Sequence, residues 1–241
     1  MGNLQTRFAI LALSSATLAG CSTSLPPGAP AYSPVIDPSD FSANIDNPYM
    51  PLQPGTTFVY DGQTEKGNEH NEVFVTDQTK IVMGIPCVVV QDTVLVDGTL
   101  EEATMDWYAQ DKEGNVWYFG EDSKEYQNGQ AVSTEGSWEA GVDGALPGIV
   151  MEAHPKEGDT YRQEFSKGQA EDWASVLATT ETSSVPWGSY ENVLVTNEWS
   201  GLDNPPVYEH KYYAPGIGFV MTKYVDGGFE LSLTKVRQPS P

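Results

Sequence analysis

The chain has 241 residues, 39% hydrophobic and 11% aromatic, enough for one sizeable core or two small ones sharing a sheet. Thirty-four acidic and 12 basic side chains give a formal charge of −22. That balance argues against nucleic acid and an anionic membrane surface as bound partners, since both would be repelled, and it suits a soluble, self-repelling exterior.

The first element is a short apolar run. Arg7 precedes it, Phe8 to Leu13 form its centre, and Leu18-Ala19-Gly20 bring small residues up to Cys21. This is the layout of a secretory signal, too short for a membrane-spanning helix of about 20 residues. Met1-Gly2-Asn3-Leu4-Gln5-Thr6 also matches a myristoylation pattern, but that reading leaves the apolar run and the cysteine unexplained. Leu18-Ala19-Gly20-Cys21 resembles the lipobox of bacterial lipoproteins. The resemblance implies cleavage between Gly20 and Cys21, a diacylglycerol thioether on Cys21 and acylation of the new N-terminus. Several acyl chains, at about 0.8 kcal/mol per buried CH₂, hold a soluble domain on a bilayer where one chain would not. Ser22 lacks the acidic inner-membrane retention signal. The resemblance therefore implies the outer membrane in a double-membrane bacterium, or an outward-facing domain in a single-membrane one.

Residues 21–45 form the expected tether: Pro26, Pro27, Pro30, Pro34 and Pro38 stiffen it towards polyproline II, at roughly 3 Å per residue. A single domain is expected over 46–237, with 238–241 as a tail. It opens with two prolines and a Pro54-Gly55 turn before the strand Thr57-Phe58-Val59-Tyr60. Val73-Phe74-Val75 is a strand, and Lys80 to Val96 is one or two more, bent at Gly84-Ile85-Pro86. The dipeptide Asp97-Gly98 signals a hairpin. Beyond it Glu102, Thr104, Asp106 and Tyr108 share one face while Ala103, Met105 and Trp107 share the other, the alternation of a half-buried strand. Asp111-Lys112-Glu113-Gly114 turns into an aromatic strand from Val116 to Phe119, and Asn128-Gly129 turns again.

The glycine-rich stretch from Gly136 to Gly148 reads as a long ordered loop. Strands resume over 159–165, 176–185, 192–197 and 207–213, and Gly218 to Val225 with Phe229 to Val236 is the last hairpin. Ala170 to Leu177 admits a short helix, although the Thr/Ser/Val run after it favours a strand. The expected fold is all-β and mainly antiparallel: a curved sheet, sandwich or open barrel.

Four stretches, 46–60, 106–111, 114–118 and 213–218, resemble those of a group of uncharacterised secreted bacterial lipoproteins. A curved antiparallel sheet behind a lipid anchor also resembles the half-barrels that carry lipid or lipoprotein, by architecture alone.

Chemistry is sparsely signalled. If lipid takes Cys21, then Cys87, inside the apolar run from Ile85 to Val90, is a buried core thiol. Gly-x-Ser-x-Gly does not occur. The histidines His70, His154 and His210 carry no chelating spacing, since Glu69-His70 and Glu209-His210 are neighbours that point to opposite faces of a strand. No cofactor is expected, with Ca²⁺ as the one metal to consider: carboxylates bunch at Asp111, Glu113, Glu121 and Asp122, although Gly114 falls two positions early for an EF-hand loop. Asp106 with Glu121 or Glu164 is the candidate pair for carboxylate-dependent glycan hydrolysis. Trp107, Trp117 and Trp138 are the candidate ligand-contacting aromatics. The leading expectation is an envelope-anchored binding or accessory lipoprotein for an apolar, glycan or protein ligand. The alternatives are a glycan hydrolase and an acidic calcium-binding surface protein. Oligomeric state is left open.

Overall fold

The computed structural model describes residues 32–225, 227 and 229–239. The apolar run, Cys21 and the chain up to residue 31 lie outside the described residues.

The strands are β1 (Phe41–Ser42), β2 (Thr57–Thr64), β3 (Gly67–Val82), β4 (Ile85–Val96), β5 (Thr99–Asp111), β6 (Val116–Gln127), β7 (Gln130–Ser133) and β8 (Trp138–Glu139). They continue as β9 (Leu146–Met151), β10 (Thr160–Arg162), β11 (Glu164–Phe165), β12 (Asp172–Val185), β13 (Gly188–Ser200), β14 (Glu209–Ala214), β15 (Gly218–Tyr224) and β16 (Glu230–Arg237). Within Ala170 to Leu177 the chain is strand from Asp172 onward, as its β-branched continuation favoured, and the stretch 136–148 contains β8 and the start of β9.

All pair antiparallel in one sheet of order β10-β12-β13-β14-β15-β16-β2-β3-β4-β5-β6-β9-β11. Its two edge strands, β10 and β11, are separated only by Gln163, whose N–H donates to Asp172 O at 2.9 Å. The sheet therefore curls until its edges are neighbours in the chain, a nearly closed barrel that leaves little exposed edge. Two glycines make the curvature possible. A side chain on Gly120 (φ 129°) would run into the Trp138 carbonyl, and one on Gly148 would meet the backbone of Gln163, so both mark close strand approach.

The tight turns are built as their residues demand. Asp97 and Gly98 both have positive φ (48° and 78°), as do Asn128 and Gly129 (52° and 74°), the geometry that matches the twist of a two-residue hairpin.

Connections β3–β4, β5–β6, β12–β13 and β14–β15 gather at one end of the barrel. The chain from Ile45 to Leu52 packs there: Asn47 Nδ2 donates to Gly114 O (2.9 Å) and Glu152 O (3.1 Å), and Gly216 N donates to Pro48 O (2.7 Å). Ile45, Met50 and Leu52 are buried beneath it. The folded body takes in residues ahead of the expected boundary at 46. Phe41 lies edge-on to Trp117 and Phe119, β1 pairs with β5, and Tyr32 Oη donates to Pro147 O at 2.7 Å. Proline content pointed to a tether over these residues, but aromatic burial decides their place.

Candidate functional site

The inward face of the sheet is divided along the barrel axis. In the half near the packed end it is apolar and aromatic: Val73, Val75, Val88, Val90, Tyr213, Phe219 and Leu233 are buried there. In the other half, towards connections β2–β3, β4–β5, β13–β14 and β15–β16, the same alternating positions carry Glu69, Asn71, Asp92, Glu102, Thr104, Asp106, Glu121, Asp172, Glu198, Glu209 and Lys211. Each of these is at most 8% exposed. Strand alternation puts them inside. In β3, Glu69 and Asn71 continue the row of Val73 and Val75, while His70, Glu72 and Phe74 face out.

The three acids expected as catalytic candidates are brought together. Asp106 stands opposite Glu121 in the β5–β6 register. Tyr118 Oη donates to Asp106 Oδ1 at 2.6 Å, and Trp138 Nε1 donates to Glu164 Oε2 at 2.9 Å. The rings of Tyr108 and Tyr118 stack at 4.8 Å, and Trp138 meets Tyr118 edge-on at 5.4 Å. Burial pushes Asp106 up to about 7, partly offset by the Tyr118 hydrogen bond. Burial also pushes Glu164 well above the carboxylate range, helped by the charges of Asp172, Glu121 and Asp106. Like charges in a dry place cannot all ionise, so part of this set is neutral carboxylic acid at pH 7.

A second group adjoins it. Lys211 Nζ pairs with Glu198 Oε2 at 2.9 Å, and Thr196 and Tyr213 hydroxyls donate to Glu198 Oε1 at 2.7 and 3.0 Å. Asn71 Nδ2 donates to Asp92 Oδ1 at 2.7 Å, and Thr104 Oγ1 bonds both Glu102 Oε1 (3.1 Å) and Ser123 Oγ (3.0 Å).

Of the candidate tryptophans, only Trp138 joins these acids. Trp107 is buried on the opposite face of β5, where Lys80 Nζ sits 3.1 Å from its ring centroid. Trp117 is half-buried under Phe41 with its Nε1 donating to Asp111 Oδ2 at 2.8 Å. Trp138 itself is part of the wall beside these acids, at 6% exposed.

The calcium candidates are dispersed. Both Asp111 oxygens are engaged by its own hairpin, Oδ1 by Asn115 N and Oδ2 by Asn115 Nδ2 and Trp117 Nε1, each at 2.8 Å. Glu113 is exposed at the hairpin tip, Asp122 faces out and pairs with Lys124 at 2.8 Å, and Glu121 faces in. Among the described residues, no three His, Cys, Asp or Glu side chains are grouped as a metal ion would need. Cys87 is buried, its thiol pushed up to about 12 by desolvation. His70 bonds Asp61 Oδ1 at 2.7 Å on the outer face.

Glu69, Glu198, Glu209 and Lys211 were not anticipated. Their signal was the i, i+2, i+4 run Glu209, Lys211, Tyr213 and the row Glu69, Asn71, Val73, which a polarity-based reading assigns to solvent.

No protein-family profile matches the chain, and no curated protein matches it. Two solved structures are similar to it at TM-score 0.44. One, described as a "putative exported protein with YmcC-like fold" from Bacteroides fragilis, is 17% identical and covers 79% of this chain and 99% of its own. The other, a "putative lipoprotein" from Parabacteroides distasonis, is 14% identical and covers 78% and 98%.

Proposed function

We propose that this chain is an exported, lipid-anchored binding protein of the cell envelope that takes a hydroxyl-rich ligand of the glycan class at the acidic end of its barrel. The Leu18-to-Cys21 stretch supports the anchor. The ligand class rests on one observation: the inward carboxylates Asp106, Glu121 and Glu164, two of them pushed towards neutrality beside Tyr118 and Trp138. A mixture of carboxylic acid and carboxylate both donates and accepts hydrogen bonds, which matches sugar hydroxyls. An apolar ligand would strip these groups of partners at a cost of about 1–3 kcal/mol each. Titration calorimetry against envelope oligosaccharides should detect binding that Asp106→Asn weakens at least about tenfold, or about 1.4 kcal/mol. Equal affinity in the variant would refute the site. Mass spectrometry of protein from its host tests the anchor: an N-terminus beginning at an acylated Cys21 is expected, and an intact residue 1 would overturn it.

The same convergence favours a second reading, a carboxylate-dependent glycan hydrolase, because cleavage of a glycosidic bond needs one neutral acid beside one ionised carboxylate. Product analysis of the same oligosaccharides decides: wild-type cleavage lost in Asp106→Asn selects hydrolysis, and intact ligand selects binding.

A further inference from the structure

The acidic half contains hydrogen-bond acceptors that the protein itself does not satisfy. Glu69 Oε1 and Glu209 Oε1 have no hydrogen-bond partner among the described residues, nor does Asn71 Oδ1 beside them on β3. Both glutamates are 3% exposed and Asn71 is fully buried. Leaving such atoms bare is costly, and native structures do so at places that serve a ligand or an ordered solvent molecule.

The sheet register brings these atoms to one end of the barrel. Glu69 is the third residue of β3, opposite Gly62 of β2; Glu209 opens β14, opposite Tyr224 of β15. Alternation turns both inward. Burial first and the charge of Glu209 second make Glu69 a weaker acid, and Tyr224 responds to both carboxylates and hydrogen-bonds Glu209. The two acids therefore lie within reach of one another's charge at this end of the barrel.

The charges of two cations already reach these acids, Lys211 acting on Glu209 and Lys66 on Glu69. Lys211 is held by Glu198 at 2.9 Å. Lys66, on the β2–β3 turn, reaches Glu101 at 3.8 Å with 37% of its side chain exposed. A donor that carries positive charge would serve the bare oxygens best, because it would hold both carboxyls ionised against their burial, and the charge of −22 draws cations towards the molecule. A divalent metal fits poorly, since no grouping of metal-binding side chains is present among the described residues. A primary ammonium fits well, with three N–H donors for three bare acceptor oxygens.

We propose that Glu69, Glu209 and Asn71 form a subsite for the primary ammonium group of an amine-bearing ligand. The subsite rests on the glycan-binding reading for its place in the barrel, where it makes a free amino sugar the preferred unit, but not for its chemistry.

The test is calorimetry with three probes: a glucosamine tetramer, its fully N-acetylated counterpart, and spermidine. The amine tetramer should bind at least about tenfold tighter than the acetylated one. Glu69→Gln and Glu209→Gln should abolish that preference, and Glu157→Gln, an exposed residue at the other end of the barrel, should keep it. The Glu157 variant removes the same unit of charge, so it separates the subsite from general attraction of cations. A glutamine keeps the shape of glutamate, and an unchanged Tm confirms that the variants are folded. Binding of spermidine alone, lost in Glu69→Gln, would sustain the ammonium subsite and sink the glycan reading. Equal binding of the two tetramers would overturn the subsite and leave the glycan reading standing. Failure of all three probes, or a preference that survives both substitutions, overturns the subsite.

Discussion

The two halves of the barrel interior are made of the same strands and obey the same alternation, yet they use opposite chemistry. In β3 a single inward row passes from Glu69 and Asn71 to Val73 and Val75; in β5 another passes from Glu102 and Thr104 to Asp106 and Tyr108. The apolar half, packed beneath Ile45, Met50 and Leu52, draws its stability from removal of hydrocarbon from water. The acidic half contributes little of that kind. Its carboxylates lose hydration and recover it only through specific donors such as Tyr118, Trp138 and Lys211. A chain that needed only to fold would fill both halves with valine and leucine. Retaining buried acids at a cost to stability is the pattern expected of a recognition surface.

The sharpest way to break this contrast is to remove Lys211, the one lysine buried among the described residues. Lys211→Met keeps the bulk but strands Glu198 in a dry interior, which costs about 3–5 kcal/mol, as for other buried pairs that lose one partner. Urea unfolding should show the loss, and a smaller one than in a surface pair such as Lys223 with Glu230 would refute the claim that this pair is shut off from water. In the apolar half the comparable change is Leu233→Ala, at a fully buried position of β16. Its cost of about 2–5 kcal/mol comes from lost transfer energy and an unfilled cavity, so it should not depend on pH, whereas the effect of removing an acid should. Between the two lies Tyr118→Phe. Asp106 then loses the donor at 2.6 Å, and we expect about 1–3 kcal/mol of destabilisation and a still higher Asp106 titration midpoint, read by carboxyl NMR.

The difference between the halves also decides what could be read from the sequence. The strands, the hairpins at Asp97-Gly98 and Asn128-Gly129 and the two faces of β5 were legible because turn residues and period-2 alternation are local signals. The apolar half was legible for the same reason. The acidic half was only partly so. Asp106, Glu121 and Glu164 could be named as candidates, but 34 acids offer many pairs, and only the register of β5 with β6 and the return of the chain through β11 set these together. Glu69 and Glu209 lie on strands far apart in sequence that meet across the barrel. Their alternation with His70 and His210 says which residues share a face and nothing about which face is inside. The docking of Phe41 on Trp117 was not legible either, because proline content is a statement about backbone stiffness while that contact depends on a partner more than 70 residues away.

The smallest expected effect is also the most diagnostic of the acidic half. Glu69 sits at about 8 in the folded chain, raised from an ordinary 4.5 by burial first and by the charge of Glu209 second. The folded state therefore binds more protons than the unfolded state between these values, and stability falls as pH rises through that window. Asp106 and Glu152, both raised to about 7, act in the same direction. Wild-type Tm should be highest near pH 5 and drop by several degrees by pH 8.5. Glu69→Gln has no proton to lose at this site, so it should track the wild type near pH 5 and fall less steeply above pH 6. Lysine and arginine pairs at the surface cannot mimic that slope, because they do not titrate in this range. Parallel Tm curves for the two proteins from pH 5 to 8.5 would mean that Glu69 is already ionised and hydrated at neutral pH. The acidic half would then be an ordinary wet surface that happens to face inward.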